Sequence, residues 1–253
     1  MENLELLIKW IKESENIVFF GGAGVSTESG IPDFRSNTGL YKKEYQCNGR
    51  KVSAEECLSI DFARKHPDIF YDYYINEFLY PNALPNDAHK SLTKLEEMGK
   101  LKAIITQNCD SLHQKAGSKN VLELHGSTST YSCNRCHKEY SEQEVFDLLK
   151  EDNVARCTCG SFIRPNIVFY GEGLPDGIFD RAARYVSNCD VFIVAGTSLN
   201  VYPAAYLMNY YKGNKCVLIN LQKTPYDTFA DIVVHEKCGE VLSKILKNLE
   251  SSN

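Results

Sequence analysis

The sequence predicts an α/β protein: a Rossmann-like, doubly wound parallel sheet with a small domain inserted into it. Three observations carry that expectation. Short β-branched and aromatic runs alternate with segments of helical period along most of the chain, the pattern of strands joined by crossover helices. The run at 17–20, Ile-Val-Phe-Phe, breaks abruptly into Gly21-Gly22-Ala23-Gly24, as a strand does when it feeds a phosphate-binding turn. Two closely spaced cysteine pairs interrupt the alternation between 133 and 159. With 253 residues, 43% hydrophobic and 24% charged, the chain suits one large domain plus an insertion. Its net charge of −5 argues against a nucleic-acid groove or an anionic membrane surface as the main partner.

Residues 1–15 place Leu4, Leu7, Ile8 and Ile11 on one helical face. No basic stretch leads into an uninterrupted apolar run, so a packed helix is expected and not a signal peptide. No apolar segment is long enough to span a bilayer, and a cytoplasmic monomer is the expectation (nuclear, if the host has a nucleus). After the first strand, Gly22 and Gly24 let backbone N–H groups approach an anion, and Ser26 and Thr27 are expected to cap a helical turn facing the same anion. A pyrophosphate suits that position. The third glycine of the dinucleotide fingerprint is here Thr27, so an ordinary hydride-transfer site is not spelled out. Pro32-Asp33-Phe34-Arg35 then supplies a rigid turn, an aromatic ring and a guanidinium for a loop folding over a nucleotide.

The stretch 40–82 is rich in Tyr, Phe and charge, with helical spacing at Phe62, Ile69, Phe70 and Tyr73; a mainly helical excursion is expected. Residues 85–89 open a helix that Gly99 ends, and buried strands follow at 103–106 and 121–124. Further strands are expected at 167–170, 191–195, 216–220 and 232–234, with helices at 180–186, 204–211 and 239–249. Residues 1–39, 83–126 and 165–253 would form the sheet domain, 40–82 a helical insertion and 127–164 a zinc-ribbon insertion. Ligands in such sheets lie beyond the carboxyl ends of the strands. The loops around 21–24, 106–110, 124–126, 196–199 and Asn220-Leu221 all fall there.

Cys133-x2-Cys136, twenty residues, then Cys157-x-Cys159 is close to the spacing of a tetrathiolate zinc ribbon. Disulfides are the alternative, disfavoured in a reducing compartment. Four thiolates leave no open position, so the metal is expected to be structural. Ser141-x-x-Glu144 reads as a capping box between the pairs. Cys47, Cys57, Cys189, Cys216 and Cys238 read as buried small hydrophobes. Of six histidines, His125 ends a buried strand before Gly126 and so projects at the ligand edge. His113 reads as helix surface, His89 as part of a helix cap, and His66, His137 and His235 have no chemical company in the sequence.

The run GAGVSTESGIPDFR at 22–35 resembles the hallmark of the sirtuins, NAD-dependent protein lysine deacylases. Thr106-Gln107-Asn108-Cys109-Asp110, Leu124-His125-Gly126, RPNIVFYGE at 164–172 and Gly196-Thr197-Ser198-Leu199 resemble the same family in the same order. The resemblance implies NAD+ as co-substrate, one structural zinc ion, and acyl-lysine proteins or peptides as partners. Gly22, Ala23, Gly24, Thr27, Phe34, Arg35, Gln107, Gly196, Thr197, Ser198, Asn220, Leu221 and Cys238 would contact the dinucleotide. Asp110 and the Cys109 backbone would hold the nicotinamide carboxamide, and Asn108 would orient the ribose and a water. His125 would be the general base on the ribose hydroxyls. The acyl group would leave on ADP-ribose, with nicotinamide and free lysine as the other products.

Between Val168, Tyr170, Gly171 and Glu172 on one side and Asn200, Val201 and Tyr202 on the other, a substrate peptide would add as a strand. Two residues depart from the family pattern. Cys109 stands where isoleucine is usual, and Tyr170 where phenylalanine is common. Subgroups taking acidic acyl groups carry a Tyr-x-x-Arg pair, absent from 40–82, which implies an uncharged acyl group, with Arg50 and Arg64 the only arginines of that segment. ADP-ribosyl transfer to protein, and a non-catalytic module binding NAD or ADP-ribose, are the alternatives. Asn108, Asp110 and His125 argue against passive binding, which needs no base at the ribose.

Overall fold

The computed structural model describes residues 2–47 and 49–251. Its strands are β1 (Ile17–Gly21), β2 (Glu44–Cys47), β3 (Arg50–Ser53), β4 (Leu101–Thr106), β5 (Val121–Glu123), β6 (Gly126–Cys133), β7 (Glu139–Tyr140), β8 (Ile163–Ile167), β9 (Val191–Ala195), β10 (Cys216–Ile219) and β11 (Ile232–Val234). Six form one sheet in the order β11-β10-β9-β1-β4-β5, every pairing parallel. The chain moves outward from β1 through β4 to β5, then returns to β9 on the other side. Strand order therefore reverses at β1, the place where doubly wound sheets open a crevice.

Alternation along β1 sends side chains to opposite faces. Ile17 and Phe19 join Leu7, Ile11, Leu92 and Ile245 in one apolar layer, built by the helices Glu2–Glu13, Asp87–Glu97 and Cys238–Glu250. Val18 and Phe20 join Val186, Phe192, Leu207 and Met208 in the other. Burial on both faces is why the central strands read as unbroken apolar runs.

A third core lies outside the sheet. Phe70, Tyr71 and Tyr74 of the excursion pack with Tyr131, Val145, Phe162 and Ile163 of the cysteine-bearing segment and with Phe169 just after it. Tyr71 donates to the Ile163 carbonyl at 2.6 Å and Tyr74 meets the Tyr131 hydroxyl at 2.9 Å, so these buried phenols are satisfied. The cysteine-bearing segment folds as a three-stranded sheet, β7-β6-β8, with Ser141 closing the expected capping box on the helix Glu142–Glu151.

Several local expectations are corrected. The excursion includes an antiparallel hairpin, β2–β3, and Pro67 opens a second helix, Pro67–Tyr73, after Ile60–Lys65 ends, because its ring fits only a first helical turn. Residues 167–170 add no strand to the parallel sheet. Ile167 pairs with Gly126 in the small sheet, while the Tyr170 N–H bonds the Leu58 carbonyl and its own carbonyl accepts from the Ile60 N–H. Residues Ala204–Tyr210 are 3-10, not α. The helical turn expected after the glycines is a pair of single 3-10 turns, Ala23–Val25 and Thr27–Ser29, but neither Ser26 nor Thr27 caps them with its side chain.

His113 is also corrected, being 1% exposed and not on a surface. Its ring meets His89 edge-on at 4.7 Å and Phe19 at 6.2 Å. His89 closes a capping box with Asn86. Burial pushes His89 down to about 4, with the Asp110 charge pulling the other way, and burial with the neighbouring His89 pushes His113 down to about 3. Both values lie below that of an unfolded histidine, so the unfolded chain takes up protons first as pH falls. Stability is complete above about pH 6.5 and is lost on the way down to these folded values, about 2 kcal/mol by pH 5 for one such residue. Urea melts at pH 7 and pH 5 should show that loss, and His113→Leu should show a smaller difference between the two; an unchanged difference would remove the pair as its cause.

Candidate active site

At the reversal point β1 and β9 run in register, Gly21 opposite Ala195, and the loops that follow come into contact. The Gly24 N–H bonds the Gly196 carbonyl at 2.8 Å, and a Cβ on Gly24 would lie 2.7 Å from Gly196 Cα. Gly196 has φ +60°, open to glycine at little cost. These two glycines let the loops touch and floor a cavity of about 380 Å³.

Of the residues expected to meet a ligand, all but Asp110 and Asn200 line this one cavity. Asp110 lies behind it: its carboxylate accepts from the Ser26 hydroxyl at 2.6 Å and the Leu112 N–H at 2.9 Å. Ser26 also accepts from the Asn108 side-chain amide at 3.0 Å. Asn108 thereby spends a donor inward and keeps its amide oxygen as an acceptor. Ser26 is the residue that sequence reasoning misplaced, since a hydroxyl in a turn first suggests a cap.

His125 is carried at the end of β5 and the start of β6. Its Nδ1 lies 2.9 Å from the Gln107 carbonyl; a carbonyl only accepts, so Nδ1 bears the proton and Nε2 the lone pair. Burial lowers the His125 pKa and the Gln107 carbonyl opposes that shift; the net result is a neutral imidazole, the form that accepts a proton. The Gln107 side chain crosses to Thr197, donating at 2.9 Å, which ties the β4 and β9 loops together over β1. Cys109 donates its thiol to the His125 carbonyl at 3.2 Å, and burial, with Asp110 and Glu123 adding, pushes that thiol up so that it stays protonated.

At the far end, Asn220, Leu221, Gln222, Glu236, Lys237 and Cys238 close the cavity. His235 does have company there. Its Nδ1 lies 2.8 Å from the Asn220 carbonyl and its Nε2 3.3 Å from Asp227; only the fold brings these loops together.

The segment expected to receive a peptide has much of its backbone already engaged. Val168 N–H bonds the His125 carbonyl at 2.8 Å, and Tyr170 is held on both sides. Glu172 faces inward. Its carboxylate accepts from both terminal guanidinium nitrogens of Arg164 and the Phe169 N–H; burial resists ionisation, but these donors outweigh it and hold the carboxyl below its ordinary range. Among the described residues the Val168 carbonyl and both backbone groups of Gly171 have no partner, so these are what an added strand can pair with. On the opposite side Val201 and Tyr202 line the cavity while Asn200 is exposed outside it.

The sulfurs of Cys133, Cys136, Cys157 and Cys159 all lie within 4.8 Å of one another. The Cys133–Cys159 and Cys136–Cys157 pairs are 3.4 and 3.6 Å apart; zinc bonds of about 2.3 Å in a tetrahedron set sulfurs about 3.8 Å apart. The cluster fits a closed structural zinc site. Backbone N–H groups of Arg135 and Cys136 point at the Cys133 sulfur, and a turn closed by Gly160 N–H to the Cys157 carbonyl, 2.8 Å, accommodates the single residue between the second pair.

Residues 22–203 match the model of the Sir2 family. Over 250 residues the chain is 50% identical to an NAD-dependent protein deacetylase of Clostridium tetani, covering 98% of this chain and 99% of that protein. A solved structure described as bearing on the mechanism and regulation of Sir2 enzymes is 38% identical, with a TM-score of 0.90, covering 100% of this chain and 99% of the other. Another, a Sir2 enzyme with a deacetylated p53 peptide and 3'-O-acetyl ADP-ribose, is 41% identical at a TM-score of 0.88, covering 97% and 98%.

Proposed function

Because the chain belongs to the Sir2 family, we propose that it is an NAD-dependent protein lysine deacetylase whose base is His125 and whose structural zinc sits in the four-cysteine cluster. The observation that carries the reading is the His125–Gln107 hydrogen bond. It leaves a neutral nitrogen with a free lone pair in a cavity whose floor is a glycine cradle. NAD supplies the electrophilic ribose carbon and the ADP-ribose that takes up the acyl group. The glycine loops and Arg35 bind the dinucleotide; Asn108, braced by Ser26 and Asp110, orients the ribose; and Phe34 on its loop helps exclude water. His125 Nε2 accepts the proton of the attacking ribose hydroxyl. The peptide pairs with Val168 and Gly171 and presents its acyl-lysine between those residues and Val201-Tyr202. We place the enzyme in the cytoplasm: thiolate ligands suit a reducing compartment, and no described helix is long and apolar enough to cross a membrane. Incubation with NAD and an acetyl-lysine peptide, with mass analysis of both products, tests the reading; deacetylation that runs equally well without NAD would refute it.

Acyl preference follows from the wall. Leu58, Phe78, Ile167, Val168, Phe169 and Leu174 line the peptide side of the cavity, and neither Arg50 nor Arg64 does. Arg50 lies over the Phe62 ring at 5.0 Å and contacts His66 at 3.0 Å. A succinyl carboxylate would leave water without a partner, which costs several kcal/mol. An acetylated peptide is expected to exceed its succinylated counterpart in kcat/KM by at least about tenfold, roughly 1.4 kcal/mol. Equal rates on the paired peptides would sink this.

A further inference from the structure

Two tyrosines join parts of the site that bind different ligands. Tyr41 belongs to the loop that carries Phe34 and Arg35, and Tyr170 to the segment that carries Val168 and Gly171. Their hydroxyls are hydrogen-bonded to each other, and both residues line the cavity. We propose that this pair is a latch coupling the two sites, so that filling the nucleotide site tightens binding of acyl-lysine peptide. The proposal rests on reading the cavity as a joint NAD and peptide site.

Each partner is held firmly enough to transmit a displacement. Within the loop, Leu40 N–H bonds the Asp33 carbonyl and Tyr41 N–H the Phe34 carbonyl, both at 2.9 Å, while Asp33 Oδ1 accepts from the N–H groups of Arg35 and Ser36. The loop thus moves as a piece. Arg35 stands 5.1 Å over the Tyr41 ring and Phe34 packs on it at 5.2 Å. A phosphate that fixes Arg35 therefore fixes Tyr41. On the other side the Tyr170 backbone is bonded to Leu58 and Ile60, one residue from the free groups of Gly171. Ordering Tyr41 holds the Tyr170 ring, and with it the edge a peptide strand would join. Phenylalanine, common in the family at this position, has no hydroxyl to offer, so the latch is a feature of Tyr170.

Coupling between sites is reciprocal and is measured as a ratio of affinities. An acetyl-lysine peptide is titrated calorimetrically into the intact protein with and without saturating ADP-ribose, for the native chain, Tyr41→Phe, Tyr170→Phe and the double variant. In the native chain ADP-ribose should tighten peptide binding more than about threefold, and the peptide should tighten ADP-ribose by the same factor. Either single variant should bring that factor close to one, a loss within the range open to one neutral hydrogen bond, and the double variant should lose no more than either alone. A purely structural loss would weaken peptide binding in both arms and leave the ratio untouched. An unchanged ratio in both single variants, or a native ratio of one, overturns the latch while leaving the NAD reading intact. Failure of the native chain to bind ADP-ribose at all would overturn both.

Discussion

His125→Ala is expected to lower kcat/KM for NAD-dependent deacetylation by on the order of a hundredfold or more, the usual cost of losing a general base, with folding and zinc content preserved. The side chain is fastened by one hydrogen bond, Nδ1 to the Gln107 carbonyl. The strand β6 that follows is held by its own pairing to β8, so truncation removes the base without dismantling its support. Rate of formation of the free-lysine peptide in the presence of NAD checks this, alongside a melting curve. Turnover near that of the native chain would exclude His125 as the base. The same geometry sets the pH profile. Burial lowers the His125 pKa, partly offset by the Gln107 carbonyl, so the basic form persists below the ordinary histidine value of about 6.5. The acidic limb of kcat/KM should therefore fall below that pH, and its loss in His125→Ala would tie the limb to this residue.

Replacing any one of Cys133, Cys136, Cys157 and Cys159 by serine should take zinc from one per chain to a small fraction of that and unfold the small sheet. Zinc binding supplies about 10 kcal/mol or more of folding free energy in ribbons of this kind. The consequence reaches the site by a short path. Strand β6 begins next to His125 and ends at Cys133, and β8, which pairs with it from Ile163 to Ile167, leads straight into Val168. Arg164 of β8 also holds Glu172. Activity should thus fall with zinc content although none of the four cysteines lines the cavity. Elemental analysis and thermal melts read the structural effect independently of turnover. Protein free of zinc when purified without chelator would refute the metal assignment, and full activity after complete zinc removal would refute the structural dependence.

The strands at 17–20, 103–106, 191–195, 216–219 and 232–234 were legible because burial on both faces demands continuous apolar runs, and that demand is local. The cysteine pairs and the Ser141 capping box were legible for the same reason: within each pair and within the box, the residues lie within one turn of each other. At 167–170 the apolar pattern reports burial alone, and the partners that determine the strand, Gly126 for Ile167 and Leu58 and Ile60 for Tyr170, come from distant segments. His113 was misread because a four-residue helix, Leu112–Lys115, is too short to show which side faces His89 and Phe19.

From the sequence alone came the six strands of the parallel sheet, the glycines at the phosphate turn, the thiolates for zinc and the histidine at the ligand edge. These are properties of residue type and short spacing, which the covalent chain carries by itself. Only the tertiary structure decided which His125 nitrogen keeps its lone pair, that Ser26 braces Asn108 and Asp110 instead of capping a helix, that Glu172 is committed to Arg164, and that Tyr41 meets Tyr170. Each of these is a hydrogen bond that no single turn or strand makes by itself, between groups from 8 residues apart for Arg164 and Glu172 to 129 for Tyr41 and Tyr170. Its donor and acceptor become neighbours only when burying three apolar cores brings the loops to one edge of the sheet.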